Sequence, residues 1–198
     1  MLSHPVDHPL PPPAPLPGGA SLDAVLQPRL SLFWGAHTPT RALLTLATAL
    51  AARGCRPHIY DGGNRFDGYF IARLARRISA RPHSILERIQ LSRAFTCFQL
   101  AERIENTTGS NEPLIILDLL NTFYDESVPL REVEYLLDKT LAHLHQLAVS
   151  GPVIIGAREP RQPVQERWPL LERLQLGADA AWMLHPPEAS EGAQLSLF

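Results

Sequence analysis

Short apolar runs alternate with amphipathic stretches along most of the chain, a pattern typical of strands and helices in turn. The apolar runs predict strands over residues 29–35, 57–63, 90–95, 113–120, 152–159 and 178–186. Apolar residues at helical spacing predict helices over 40–54, 66–79, 83–89, 96–107, 129–151 and 167–177. This alternation predicts an α/β fold: one doubly wound, mostly parallel sheet flanked by helices in three layers, α/β/α.

The two ends of the chain differ from this alternating core in composition. Residues 1–20 are dense in proline and contain a Gly-Gly pair, which predicts a disordered leader. Residues 188–198 follow a Pro-Pro pair and predict a flexible tail. The predicted core domain therefore covers residues 21–187.

Composition narrows the classes of function. The chain has 198 residues, of which 45% are hydrophobic and 19% charged, with a formal net charge of −2. This charge argues against strong nonspecific binding of nucleic acid by the whole surface. Cys55 and Cys97 form neither a metal-ligand cluster nor a disulfide framework, so we predict no bound metal and a reducing, cytoplasmic location. No apolar run is long enough to span a bilayer, so we predict no membrane partner.

Four stretches carry a family resemblance, in this order along the chain: GAHTPTRA, IYDGGNRF, ERIQLSRAFTCFQLAERIE and PLIILDLLNTFYDE. Together they resemble the ATPase core of RecA-type recombinases, particularly the archaeal RadA and KaiC branch, over roughly residues 22–187. The resemblance implies a RecA-like fold. It places the first stretch at the phosphate loop and Asp118 at the acidic position of the Walker B strand.

The first stretch lacks the groups that hold a nucleotide. Gly35 lines up with the first glycine of the phosphate loop, Thr40 with the second, Arg41 with the lysine and Ala42 with the Mg²⁺-binding hydroxyl. Pro39 also removes one N–H donor. We interpret the segment as a strand-to-helix turn, with Thr38 as the N-cap and Pro39 at the first helical position.

Two further positions depart from the family. When Asp61 is matched to the family's aspartate, Gly63 stands where the catalytic glutamate would be, so no carboxylate orients a water. The sequence GAR at 156–158 replaces the polar pair that senses nucleotide. These departures predict a protein that is not an enzyme and holds no cofactor. Asp118 then either coordinates Mg²⁺ or caps a loop.

The last five residues are Gln194, Leu195, Ser196, Leu197 and Phe198, and this QLSLF sequence resembles the binding motif of the bacterial sliding clamp. A short extended peptide on a tether can place Leu197 and Phe198 in an apolar pocket while Gln194 hydrogen-bonds beside it. Alternatively, these side chains fold back onto the protein's own sheet.

Arg73, Arg76, Arg77 and Arg81 form a candidate DNA contact, because the first three share one face of the predicted helix. The alternative is an ordinary solvated helix face. Tyr124, in the loop after the Walker B strand, either stacks on a base or packs at the sheet edge.

Three functions are consistent with these features. The first is a non-catalytic, RecA-like accessory protein of DNA repair, recombination or translesion synthesis, similar in design to the ImuA type. It would be cytoplasmic and nucleoid-associated, would dock on the sliding clamp through its tail, and would bring a polymerase or recombinase partner to damaged DNA. The second is a nucleotide-binding recombinase paralogue with weak DNA-dependent ATPase activity, in which ATP and Mg²⁺ bind near Arg41 and Asp118. The third is a regulator of recombinase filaments.

Overall fold

A computed structural model describes residues 22–161 and 164–184, which form an α/β unit around one six-stranded sheet. All strands are parallel, in the order β3-β2-β4-β5-β1-β6. Their bounds are Leu30–Gly35 for β1, His58–Asp61 for β2, Gln90–Arg93 for β3, Leu114–Leu117 for β4, Val153–Arg158 for β5 and Ala180–Leu184 for β6.

Helices connect the strands and cover both faces of the sheet. They are α1 (Leu22–Val25), α2 (Thr40–Ala52), α3 (Gly68–Ile78), α4 (Pro82–Leu86), α5 (Cys97–Glu105), α6 (Leu130–Ala148) and α7 (Trp168–Gly177). Helices α2, α3 and α4 lie on one face, whereas α5, α6 and α7 lie on the other. The predicted three-layer α/β/α fold is confirmed.

Side chains alternate between two hydrophobic cores along each central strand. In β4, Leu114 and Ile116 pack under α5 and α6, whereas Ile115 and Leu117 pack under α2. All four are buried because both faces of the sheet are covered. This double burial explains why β4 has a continuous apolar run rather than an alternating pattern.

Strand β4 ends three residues before the predicted boundary at residue 120. Asp118 has a left-handed backbone with φ of 54°, and a single 3₁₀ turn, Leu119–Asn121, follows it. Leu119 and Leu120 are still buried, so their hydrophobicity extended the predicted strand. The early end of the strand turns Asp118 towards the neighbouring loops. No helix of the described residues is both long and apolar enough to cross a membrane.

His58 links β2 to the edge strand β3. Its Nε2 lies 3.0 Å from the Ser92 hydroxyl oxygen, and its ring meets the Tyr60 ring edge to face at 4.5 Å between centroids. Burial, assisted by the positive charge of Arg103, lowers the pKa of His58 below its usual 6.5. The folded protein therefore resists protonation of this imidazole more than the unfolded chain does.

We expect the free energy of unfolding to fall as the pH drops below about 6.5, because the unfolded chain then binds a proton that folded His58 does not. Urea denaturation at pH 7.5 and 5.5, followed by tryptophan fluorescence, measures this fall. In the His58→Gln variant the difference between the two pH values should be smaller. An NMR titration that gives His58 a pKa of 6.5 or higher would contradict the prediction.

Candidate functional site

Four polar side chains meet at the carboxyl edge of the sheet, where parallel α/β sheets place their binding sites. Asp118 follows β4, Arg158 ends β5, Thr38 follows β1 and Arg65 follows β2. We call these four residues the carboxyl-edge cluster.

One carboxylate oxygen of Asp118 is the centre of the cluster. Its Oδ2 accepts a hydrogen bond of 2.8 Å from the Thr38 hydroxyl and lies 3.3 Å from Nε of Arg158 and 3.5 Å from Nε of Arg65. Asp118 is 0% exposed. The only negative charge of the cluster is therefore already matched by two guanidinium groups.

Neighbouring groups hold the two arginines in place. The Asp61 carboxylate accepts hydrogen bonds from the backbone N–H groups of Arg65 and Phe66, which fixes the loop that carries the Arg65 side chain. Arg158 donates to the side-chain oxygen of Asn121 at 2.6 Å, and its carbonyl accepts from the Tyr124 hydroxyl at 2.8 Å. The cluster is thus anchored to the loops after β2 and β4.

Burial opposes the charge of Asp118, and its polar partners favour it. Burial is the larger influence and raises the pKa of Asp118 above its usual range, while the Thr38 hydroxyl, Arg158 and Arg65 act in the opposite direction. Its second oxygen, Oδ1, is buried and accepts no hydrogen bond within the described chain. The two arginines and Thr38 therefore offset part of the free-energy cost of burying this carboxylate.

The cluster does not fit a Mg²⁺ ion. Magnesium in proteins is held by oxygen ligands, but here two cationic side chains approach the single acidic group. Unit charges 4 Å apart interact by about 4 kcal/mol at an effective dielectric constant of 20, so each guanidinium would repel a divalent ion strongly. Nor do three His, Cys, Asp or Glu side chains gather into a metal-binding group anywhere in the described ranges.

Within the described residues, no hydrogen bond or ion pair joins Asp118 to Gly35, Thr40 or Arg41, which the sequence aligned with the phosphate loop. A Cβ atom on Gly35 would lie 2.5 Å from the carbonyl oxygen of Leu184, so this glycine permits close packing against β6. Thr40 begins α2 and is half-buried. Arg41 is exposed and lies over the Phe70 ring of α3, 5.8 Å from its centroid.

The loop between β1 and α2 has no residue with the left-handed backbone that one form of anion-binding nest uses. Such a nest orients successive N–H groups through a left-handed or turn conformation. In the described chain, positive φ occurs only at Gly54, Asn64 and Asp118, and none of these residues lies in the loop. The interpretation of Thr38 as an N-cap was wrong: α2 begins at Thr40 after Pro39, and the Thr38 hydroxyl donates to Asp118 instead.

Gly63, at the position of the family's catalytic glutamate, packs directly against Asp118. A Cβ atom there would lie 2.7 Å from Cβ of Asp118 and 3.0 Å from Cγ of Arg65. A glutamate would therefore require the cluster to rearrange. Because Gly63 has no side chain, Asp118 and Arg65 can occupy the space in which they form their ion pair.

The other predicted contact residues are not members of this cluster. Arg73, Arg76 and Arg77 are exposed on α3. Arg81 is not on this helix, because α3 ends at Ile78 and Arg81 lies at the start of α4. Tyr124 is buried and bonded to Arg158, so it packs within the fold and does not offer its ring for base stacking. Gln194, Leu195, Ser196, Leu197 and Phe198 lie outside the described residues.

Sequence reasoning missed Arg65 and Arg158 as partners of Asp118. Arg65 lies in the segment IYDGGNRF, directly after a predicted strand, and Arg158 lies in the segment GAR, at the end of another. The carboxyl ends of parallel strands lie at one edge of a sheet, so this placement was the available signal.

No protein-family model matches the chain, and no curated protein matches it at a significant level.

We expect Asp118→Ala to lower the free energy of unfolding by about 3 kcal/mol, because breaking a buried pair leaves Arg158 without its carboxylate. Asp118→Asn should cost less, since asparagine tolerates the left-handed backbone and can still accept the Thr38 hydrogen bond. Urea denaturation measures both effects. If Asp118→Ala unfolds at the wild-type urea concentration, the carboxylate does not organise this edge of the sheet.

Proposed function

We propose that the protein is a non-catalytic, RecA-like accessory protein of bacterial DNA repair or translesion synthesis. In this proposal the folded domain holds a polymerase or recombinase partner. The C-terminal residues Gln194–Phe198 dock the assembly on the sliding clamp. The protein would therefore act by bringing molecules together.

The carboxyl-edge cluster is the observation that carries the non-catalytic part of the proposal. A RecA-type ATPase requires an acid that is free to organise Mg²⁺, but Asp118 is buried and occupied by Thr38, Arg65 and Arg158. The aligned lysine position, Arg41, lies over Phe70. These contacts support loss of phosphate chemistry with retention of the fold.

The position of the last strand supports the docking part of the proposal. Strand β6 ends at Leu184, and the QLSLF sequence begins ten residues later. The nine residues between them span about 30 Å when extended. A peptide on such a tether can reach a pocket on a partner while the folded domain remains accessible to a second protein.

We expect the full-length protein to bind purified bacterial sliding clamp with roughly micromolar affinity, because ordering a short peptide offsets part of its contact energy. Deleting residues 194–198 should abolish binding. Leu197→Ala combined with Phe198→Ala should weaken it at least tenfold, since these side chains supply the apolar anchors. Isothermal titration calorimetry measures all three affinities.

A protein in which the same five C-terminal residues are reordered is the matched control, because composition and length stay constant. It should bind the clamp no better than the deletion. Equal clamp binding by the wild type, the deletion and the reordered tail would refute docking through Gln194–Phe198.

A further inference from the structure

Positive charge is concentrated in one segment of the chain. Residues 65–103 contain eight arginines and three acidic residues, Asp67, Glu87 and Glu102, which gives this segment a net charge of +5. The whole chain carries −2, so the remaining residues carry −7. The segment comprises α3, α4, β3 and most of α5, at the β3 side of the sheet.

Helix α3 concentrates this charge on its outer face. Its inner face buries Ile71 and Ala75 against α2 and α4. Tyr69, Arg73 and Arg76 follow at spacings of four and three residues, so they share the opposite face, and Arg77 lies beside them. The helix contains no acidic residue. We call Tyr69, Arg73, Arg76 and Arg77 the α3 outer face.

The groups on this face are exposed and lack internal partners. Tyr69 is 90% exposed, the largest exposure among the large hydrophobic side chains of the described chain. The three arginines form neither a hydrogen bond nor an ion pair through their side chains with any residue in the described ranges. By contrast, Arg65, Arg93 and Arg158 are paired with buried carboxylates.

An exposed aromatic ring among unpaired guanidinium groups matches the chemistry of single-stranded nucleic acid. Arginine binds phosphate oxygens in a bidentate manner, and tyrosine provides a surface on which an unpaired base stacks. Duplex DNA offers phosphates but keeps its bases stacked inside the helix. An acidic protein surface would use the arginines but would not require the ring.

We infer that the α3 outer face binds single-stranded DNA, with Arg73, Arg76 and Arg77 on the phosphates and Tyr69 stacked on a base. The choice of DNA rests on the proposed function, whereas the single-strand chemistry rests on the exposed ring and the arginines. No hydrogen bond or ion pair within the described residues joins this surface to the carboxyl-edge cluster, and the binding that we infer requires no nucleotide cofactor.

We expect the full-length protein to bind a fluorescein-labelled (dT)₂₀ strand at 50 mM salt. The combined variant Arg73→Ala/Arg76→Ala/Arg77→Ala should bind at least about 10-fold more weakly. Its slope of log affinity against log salt should be shallower by about 2, because each phosphate contact contributes about 0.7 on single strands. Fluorescence anisotropy measures both quantities.

Tyr69 provides a second, independent test. Tyr69→Ala should weaken (dT)₂₀ binding about 10-fold without changing the salt slope, since it removes the ring on which a base stacks and stacking releases no counterions. Tyr69→Phe should retain wild-type affinity because it keeps the ring.

The matched control is Arg53→Ala/Arg56→Ala/Arg131→Ala, which removes three exposed arginines elsewhere and leaves the same net charge of −5. It should bind (dT)₂₀ nearly as well as the wild type. Any of four results would overturn the inference: equal losses of affinity in both triple variants, equal affinity for a 20-base-pair duplex, tighter binding of (rU)₂₀, or no binding of (dT)₂₀. The α3 triple variant should still bind the sliding clamp, and the tail deletion should still bind (dT)₂₀, so failure of one proposal is distinguishable from failure of the other.

Discussion

The burial of one carboxylate, that of Asp118, is the constraint on which the carboxyl edge of this sheet depends. A fully buried anion requires cationic and hydrogen-bonding partners, and here Arg158 provides one from the end of β5 while Arg65 and Thr38 provide the others from two loops. These contacts join the loops after β1 and β2 and the end of β5 to the end of β4. The buried carboxylate at this edge of the sheet is therefore already paired with the protein's own cationic side chains.

The arginines of the chain fall into two groups, those paired with buried carboxylates and those exposed on the outside of α3. Arginines near the sheet edge are used internally, as Arg65 and Arg93 are, whereas those on the outside of α3 have no carboxylate to bind within the described residues. We therefore assign the two proposed binding functions to features outside the sheet edge: DNA binding to the α3 outer face and clamp binding to the C-terminal peptide. Both suit a protein that joins other molecules.

The fold was predictable from the sequence because periodicity reports burial. A continuous apolar run such as residues 152–159 is typical of a strand that is buried on both faces of a parallel sheet. Strand β5 occupies Val153–Arg158, as predicted. The end of β4 was not predictable in this way, since Leu119 and Leu120 are as buried in a 3₁₀ turn as they would be in a strand. The ion pairs of Asp118 also escaped prediction, because they join residues 40 to 53 positions apart and depend on strand order. Hydrophobic pattern alone does not specify that order.

A calorimetric titration of the full-length protein with Mg²⁺-ATP tests the central claim most directly. If the carboxyl-edge cluster has replaced the nucleotide site, no heat of binding should be detected up to millimolar nucleotide. Micromolar affinity for Mg²⁺-ATP that is lost in Asp118→Asn would contradict the account, because it would mean that Asp118 leaves its arginine partners to hold the metal.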